Sequence, residues 1–424
     1  MPALNYASAP AKTRLLLVYG LGGFAMNLTN LVMSQWLYER YVVEGVLAAS
    51  TFAILLLAGR LTDAFSDPLI AFWTDNLRTR YGRRLPFLRW GTGPFALACV
   101  LLWTPPVTLD PAGRTLYAFV VTQFYFLMYG LVITPYLALL PELLVDQRDR
   151  LNLTTAQSTA ALAGTLSFAL TGAVLQAGGY GAIALMLAAG VVISFLPAAF
   201  TLRESEARTS TAPAGLREFP RWLGQGLRNT DFHPLLAATS LFWFGLNLIL
   251  MLVPRLVQEQ LHAPPGAVTL VMLPFIGVNL IGFFICNGLA KRIGPHRCFT
   301  GALLLAGLEF PLFGVCGRLL PGLASAQIVA ALAALPAAGF AVLPFALLAE
   351  VIDRDAKRSG YHREALYFGV QAIFQKSAIG LSVVAFAWIQ ANHYGLVLVS
   401  LLAGVACGLA GGIYGWATLR RARL

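Results

Sequence analysis

The sequence predicts an all-α polytopic membrane protein, with twelve transmembrane helices in two six-helix repeats. Three observations carry that expectation. The 424 residues are 58% hydrophobic and only 12% charged, against roughly 25% charged in a soluble domain. Mean hydropathy is +0.71, which leaves too little polar surface for a water-soluble body. Charge clusters and Pro/Gly turns then cut the chain into twelve stretches, each near the roughly 20 apolar residues that a spanning helix needs. Short strands of alternating polarity, the signature of a membrane barrel, are absent from the sequence.

The first stretch, near 15–38, follows Lys12 and Arg14. It is long enough to act as an uncleaved anchor, and no cleavable signal is expected before it. The second, 46–74, leads into a basic loop with Arg78, Arg80, Arg83, Arg84 and Arg89. The third and fourth, 86–105 and 115–140, end before Arg148 and Arg150. The fifth and sixth, 153–176 and 180–202, close a first half. The longest polar stretch follows, with Pro213, Gly215, Pro220 and Arg203, Arg208, Arg217, Arg221 and Arg228; it reads as a cytoplasmic linker. The second half holds stretches near 232–257, 266–290, 298–317, 322–349, 365–391 and 393–417. The expected organisation is therefore 1–202, a linker 203–231, and 232–424.

Charge fixes the orientation. Of 30 Lys and Arg, 24 fall in the termini and the even-numbered loops, and only Arg40, Arg114, Arg255 and Arg318 lie near odd-numbered ones. Basic residues concentrate on the cytoplasmic side, so both termini are expected in the cytoplasm of a plasma-membrane protein. The net charge of +11 reflects this topology and not a nucleic-acid surface, because it is spread over every cytoplasmic connection. Cys99, Cys286, Cys298, Cys316 and Cys407 are scattered, without metal spacing or a disulfide framework, and read as packing residues. The five histidines show no ligand spacing either.

The halves echo each other. Leu77, Arg80 and Gly82 after the second stretch match Leu289, Arg292 and Gly294 after the eighth, at an offset of 212. Pro135 leading to Glu142 has its counterpart in Pro344 leading to Glu350. Parallel six-helix repeats with a site near the midplane are the architecture of major facilitator transporters.

Within the second stretch, Arg60, Asp63 and Asp67 share one helix face, since residues three and four apart are neighbours on a helix. Charges at membrane depth are costly and mark ion or substrate pathways. Two carboxylates offer hard oxygen donors for Na⁺ or H⁺, and buried like charges do not both ionise cheaply unless a cation arrives. Lys376 is the other basic residue inside a stretch, the eleventh. A fixed ion-pair network between these two helices is the structural alternative. Glu309, within the ninth stretch, reads as a helix contact or local ion pair, with a proton relay as the alternative.

The run from Gly59 through Arg60, Asp63 and Asp67 to Pro68 resembles the glycoside–pentoside–hexuronide:cation symporters, the melibiose-permease-like branch of the major facilitator superfamily. Thr79–Phe87, Pro135 and Tyr136 with the charged loop Asp146–Arg150, and Tyr367–Gln371 followed by Lys376 continue the match through both halves. The resemblance implies a cation-coupled symporter working by alternating access. Asp63 and Asp67 would hold the cation, with Arg60 a local counter-charge and Lys376 a partner from the other half. Cation binding would displace the lysine and alter how the halves meet, which links cation to solute.

The departures from that family bear on the substrate. Asn27 and Gln157 stand where a carboxylate and an arginine grip the sugar, Ile133 where another carboxylate is expected, Leu137 for an aromatic, and Gly130 for a threonine near the sodium site. Na⁺ and H⁺ therefore both stand as coupling ions. A sugar or glycoside is expected on family grounds, and a lysolipid, carried by another branch of the clan, is the alternative. The cavity candidates are Asn27, Tyr129, Gln157, Trp243, Asn247, Gln371 and Gln375; each has the alternative role of bridging helices. Asp75, Arg80, Arg83 and Arg84 form a gating loop that clamps helix ends, or serve only as topology anchors. An enzyme of the intramembrane prenyltransferase kind would use Asp63 and Asp67 with Mg²⁺. It needs a second Asp-rich motif, and the other pair, Asp353 and Asp355, lies in a basic loop. The expectation is a transporter and not an enzyme, with a small-molecule substrate, the lipid bilayer as its surroundings, no nucleic acid, no cofactor beyond the coupling ion, and a functional monomer.

Overall fold

The computed structural model describes residues 9–77, 79, 81–143, 147–203, 224, 226–317, 322–359, 364–392 and 395–421. Twelve long helices occupy them. They are α1 (Ala9–Tyr38), α2 (Ala49–Asn76), α3 (Leu85–Trp103), α4 (Pro111–Leu143), α5 (Gln147–Ala169) and α6 (Thr171–Thr201). After the polar stretch come α7 (His233–Arg255), α8 (Ala267–Ile293), α9 (Pro295–Glu309), α10 (Leu323–Ser359), α11 (Glu364–Ala391) and α12 (Gly395–Arg421). Short π-helical turns extend α1 over Glu39–Val43 and α7 over Leu256–Gln260, and a 3-10 segment, Phe310–Val315, continues α9. Ten of the twelve are long and apolar enough to cross a membrane. The two others are α2, which carries the charge cluster, and α5, whose sequence is rich in Thr, Ser and Gln. The protein is an integral, multi-pass membrane protein.

Local chemistry sets the helix ends. Gly82, at φ 101°, and Gly294, at φ 89°, turn the chain before α3 and α9, a conformation that side chains with a Cβ resist. Each is followed by a proline in the first helical turn, Pro86 and Pro295, where a missing N–H costs nothing. The glycine echo seen in the sequence is thus an echo in the backbone. Prolines inside α3, α8 and α10 (Pro94, Pro274, Pro336 and Pro344) leave those helices continuous, as neighbouring helices in a membrane allow, whereas α6, which also holds Pro197, is kinked at Gly179, where φ is 65°.

The chain forms two compact units. One is Met1–Leu47 with Thr62–Leu216, the other Ala48–Leu61 with Arg217–Leu424. The division crosses α2 between Leu61 and Thr62, so Ala48–Leu61 clusters with the second unit. In the first unit α1 packs on α5 and α6, and α3 on α4 and α6. The α1–α5 contact is backbone-close: a Cβ on Gly23 would lie 2.2 Å from the Gln157 carbonyl oxygen, and one on Gly164 2.5 Å from that of Phe24. Small residues permit such approach between membrane helices. In the second unit α7 packs on α11 and α12, α8 on α10, and α9 on α10 and α12. Most of the polar stretch 203–231 lies outside the described residues. Its end is tied to the second unit, where Asn229 Nδ2 donates to the Tyr367 hydroxyl at 2.8 Å and Arg358 donates to Asp231 at 2.9 Å.

Candidate functional site

The site grows from one face of α2. Arg60 is 5% exposed, Asp63 1%, and Asp67 half-buried. A single helix sets their spacing, so the guanidinium and the two carboxylates follow one another by turns. Within the first unit, α4 meets this face. The Thr134 hydroxyl donates to Asp67 Oδ1 at 2.9 Å. One turn earlier Gly130 presents no side chain, and a Cβ there would stand 3.2 Å from Asp67 Oδ1 and 3.5 Å from Ser66 Oγ. Ser66 donates to the Asp63 carbonyl at 3.3 Å, and Thr62 to Gln123 Oε1 at 2.7 Å. Buried Asp63 and Ser66 and half-buried Asp67 and Thr134 therefore bring carboxylate and hydroxyl oxygens to this face. Such hard donors suit a proton or a small cation without chemistry of its own.

The remaining expected residues of the first unit have defined places. Asn27 Nδ2 donates across to α5, to the Ala161 carbonyl at 2.9 Å and the Thr165 hydroxyl at 2.5 Å. Gln157 is half-buried, one face of its backbone filled by Gly23. Tyr129 stands edge-on to Phe95, with ring centroids 5.8 Å apart, and stacks near Tyr125 at 6.3 Å. Ile133 is buried, while Leu137 is 44% exposed.

In the second unit Asn247 is buried and its Nδ2 donates to Ser382 Oγ on α11 at 2.8 Å. Trp243 sets its ring edge-on to Phe340 at 5.7 Å. Gln371 is buried, and Gln375 and Lys376 are half-buried on α11. Gly380, one turn beyond Lys376, receives α2: a Cβ there would meet Leu57 Cδ1 at 2.8 Å and Arg60 Cβ at 3.4 Å. Glu309 closes the α-helical part of α9. It is buried, and its Oε2 has no hydrogen-bond partner among the described residues. Of the roles expected for it, a helix contact or a local ion pair, no ion pair forms among those residues.

Of the expected gating loop, Arg80 and the Asp75 side chain lie outside the described residues. Arg83 is half-buried. Arg84 is buried and donates to the Ala138 carbonyl of α4. The corresponding corner of the second unit holds His296, whose Nε2 lies 2.9 Å from Glu350 and whose Nδ1 lies 2.7 Å from the Tyr414 hydroxyl, with Arg354 on the other carboxylate oxygen.

Sequence reasoning did not single out Thr134 or Ser66. A signal was there: Thr134 is one turn past Gly130 on the same helix face, and Ser66 lies between the aspartates. Neither position is charged, so neither stood out in an apolar stretch.

The model of the MFS/sugar transport protein family matches residues 18–418. The isoprimeverose transporter of Lactiplantibacillus pentosus is 24% identical over 376 residues, covering 86% of this chain and 77% of its own. The sodium-dependent lysophosphatidylcholine symporter 1 of Mus musculus is 27% identical over 156 residues, covering 35% of this chain and 29% of its own. In fold, the chain is similar to a POT family transporter crystallised with a thioalcohol-conjugated peptide. The TM-score is 0.74 at 12% identity, over 99% of this chain and 98% of that one.

Proposed function

Because the chain belongs to the MFS/sugar transport protein family, we propose that it is a cation-coupled secondary symporter working by alternating access. The solute is a sugar or glycoside and the coupling ion Na⁺ or H⁺. The observation that carries this reading is the pair Asp63 and Asp67, set in a membrane helix beside the hydroxyl of Thr134. Charges that a fold retains at membrane depth serve ion and substrate pathways.

The two carboxylates bind the cation, and Arg60 and Lys376 balance their charge while it is absent. The place of Lys376 on α11, one turn before the glycine that receives Leu57 and Arg60, supports its role as that counter-charge. A cation that takes over the carboxylates releases the lysine, and the changed charge balance biases the rocking of the halves. Solute and cation affinities are then coupled reciprocally. Asn27, Tyr129, Gln157, Trp243, Asn247, Gln371 and Gln375 line the solute path, with Gln371 keeping Oε1 available for a hydroxyl donor. Arg83 and Arg84, with Asp75 and Arg80, clamp helix ends on the cytoplasmic side, where both termini lie. The protein acts as a monomer and catalyses no covalent chemistry.

A second reading is a lysolipid as solute. Ile133 and Leu137 make the α4 face apolar where the sugar-carrying pattern is charged or aromatic, and the mouse relative is a lysophosphatidylcholine symporter. Uptake into proteoliposomes under imposed Na⁺ or H⁺ gradients, against a panel of glycosides and lysolipids, separates the two. Accumulation above equilibrium is expected for one class. If Asp63→Asn and Asp67→Asn both leave gradient-driven accumulation intact, the coupling assignment fails.

A further inference from the structure

We infer that the second unit carries a seat for an anionic phospholipid between α9 and α12, with the phosphate at Arg297 and Arg420 and one acyl chain in the groove between the helices. The seat uses none of the residues assigned to coupling above. Its floor is backbone. α9 packs on α12, and a Cβ on Gly307 would stand 2.9 Å from Gly408 Cα, one on Gly404 2.8 Å from the Gly307 carbonyl oxygen. Leu304 and Leu308 from α9 and Leu401 and Val405 from α12 make the walls. All four are exposed, Leu308 to 74%. Around Gly301, Gly408 and Gly412 nothing lies within 4 Å of a built Cβ, so the groove stays open toward one end of both helices.

That end is basic. Arg297, Gly301, Leu304 and Leu308 follow one another by turns along α9, and Trp416, Gly412, Gly408 and Val405 along α12. The two helix ends meet, because His296 Nδ1 lies 2.7 Å from the Tyr414 hydroxyl and a Cβ on Gly415 would stand 2.9 Å from Thr300 Cγ2. Arg297, Trp416 and Arg420 are exposed there, with the Arg420 guanidinium 5.4 Å from the centre of the Trp416 ring. Tryptophan and arginine anchor helix ends at a membrane interface. Lys291 and Arg292, exposed in the last turn of α8, add to the positive field. Arg297, Lys291 and Arg292 form no ion pair among the described residues, and the carboxylate of Glu350 at this corner is occupied by His296 and Arg354.

Length and charge select the occupant. Arg297 to Leu308, like Trp416 to Val405, is a step of eleven residues, about 16 Å along a helix. That is about half of the roughly 30 Å hydrocarbon core, the depth that one acyl chain reaches from its headgroup. A phosphate at the level of the arginines accepts charge-assisted hydrogen bonds from their guanidinium groups, as basic residues near the surface attract anionic lipids. A second copy of the chain fits less well. Two copies facing across this groove in one membrane orientation set the same arginines against each other, and like charges across an interface repel.

The test is lipid-dependent thermal stabilisation of the purified full-length protein in detergent, titrated with dioleoylphosphatidylglycerol or dioleoylphosphatidylcholine. A ligand that binds the folded state raises the unfolding midpoint by mass action. Phosphatidylglycerol is expected to raise the midpoint at lower concentration than phosphatidylcholine, and soluble glycerol 3-phosphate, which has no chain for the groove, to leave it unchanged. Arg297→Gln with Arg420→Gln should raise the phosphatidylglycerol concentration required by about 30-fold, the scale of two basic contacts at a membrane surface. Gly408→Leu fills the groove, keeps both arginines and should raise it by about ten-fold, the scale of two buried methylene groups. The arginine variants change only exposed side chains, so they decide the question even if Gly408→Leu does not fold. Arg14→Gln with Arg228→Gln removes two exposed arginines elsewhere and should leave the response as it is; an equal loss there shows attraction by net charge alone and overturns the seat. A wild type that answers both lipids alike, or a response unaltered by Arg297→Gln with Arg420→Gln, overturns it too. Glycerol 3-phosphate acting as strongly as the lipid makes this a free-anion site, against the inference. A Gly408→Leu variant that changes oligomeric mass in light scattering, with its lipid response intact, gives the groove to a second copy and also overturns it.

Discussion

α2 and α8 hold the same place in the two repeats, and they differ in charge. At the offset of 212, Asp63 has Phe275 as its counterpart and Asp67 has Asn279. Each second helix still meets the fourth helix of its own half through a polar contact. Asp67 accepts from Thr134 of α4, and Asn279 Nδ2 donates to the Ala334 carbonyl of α10 at 3.1 Å. The first and fifth helices are bridged alike in both halves, Asn27 to Thr165 and Asn247 to Ser382. The third helices also start alike, with Arg84 reaching Ala138 on α4 and His296 reaching Glu350 on α10. The scaffold is therefore duplicated down to single hydrogen bonds, while the aspartate pair of the second helix occurs in one half alone. A polar bridge is something a helix pair needs in any membrane bundle; a carboxylate pair is not, and its restriction to α2 separates coupling from architecture.

Exchanging the charges is the strongest way to break this comparison. Asp67→Asn should abolish gradient-driven accumulation, and adding Asn279→Asp should not restore it, because the partner position holds Phe275. Ion-to-solute stoichiometry in proteoliposomes is the readout, and restored coupling would show that the halves are interchangeable. By itself, Asn279→Asp should lower stability by about 2.5–3.5 kcal/mol, the insertion cost of a carboxylate at mid-helix, seen as a lower thermal midpoint without a change in stoichiometry. Next in size is Gly23→Val, which drives a side chain into the Gln157 carbonyl. It should cost about 1–3 kcal/mol by overpacking, measured by the same midpoint. Smallest are Asn27→Ala and Asn247→Ala, each about 0.6 kcal/mol if the amides act as bridges. Equal small losses with uptake preserved assign both to the scaffold. Uptake lost in Asn27→Ala at normal stability makes that amide a solute contact.

Much of the site's location was legible before any coordinates. Arg60, Asp63 and Asp67 stand out because charge in an apolar stretch is conspicuous at single-residue resolution, and their common face follows from helical spacing alone. The cavity amides were also visible, but not what they bind. Asn27 and Asn247 spend their Nδ2 donors on helix bridges, and nothing in the residue type distinguishes that from a solute contact. Glu309 was equally visible, but residue type did not distinguish a helix contact from an ion pair. The neighbours of a buried carboxyl depend on which residues of other helices share its depth.

The sequence by itself determined the membrane class, the number of helices, the repeat and the face of α2 that carries charge. These follow from hydropathy, loop charge and helical period, which are properties of contiguous residues. Only the tertiary structure decided that Thr134 and the bare backbone of Gly130 stand against Asp67, that Leu57 and Arg60 lodge at Gly380, and that both halves use an asparagine to bridge their first and fifth helices. Those contacts depend on the rotation and register of one helix against another. Packing geometry sets both, and the periodicity of a single segment does not encode either.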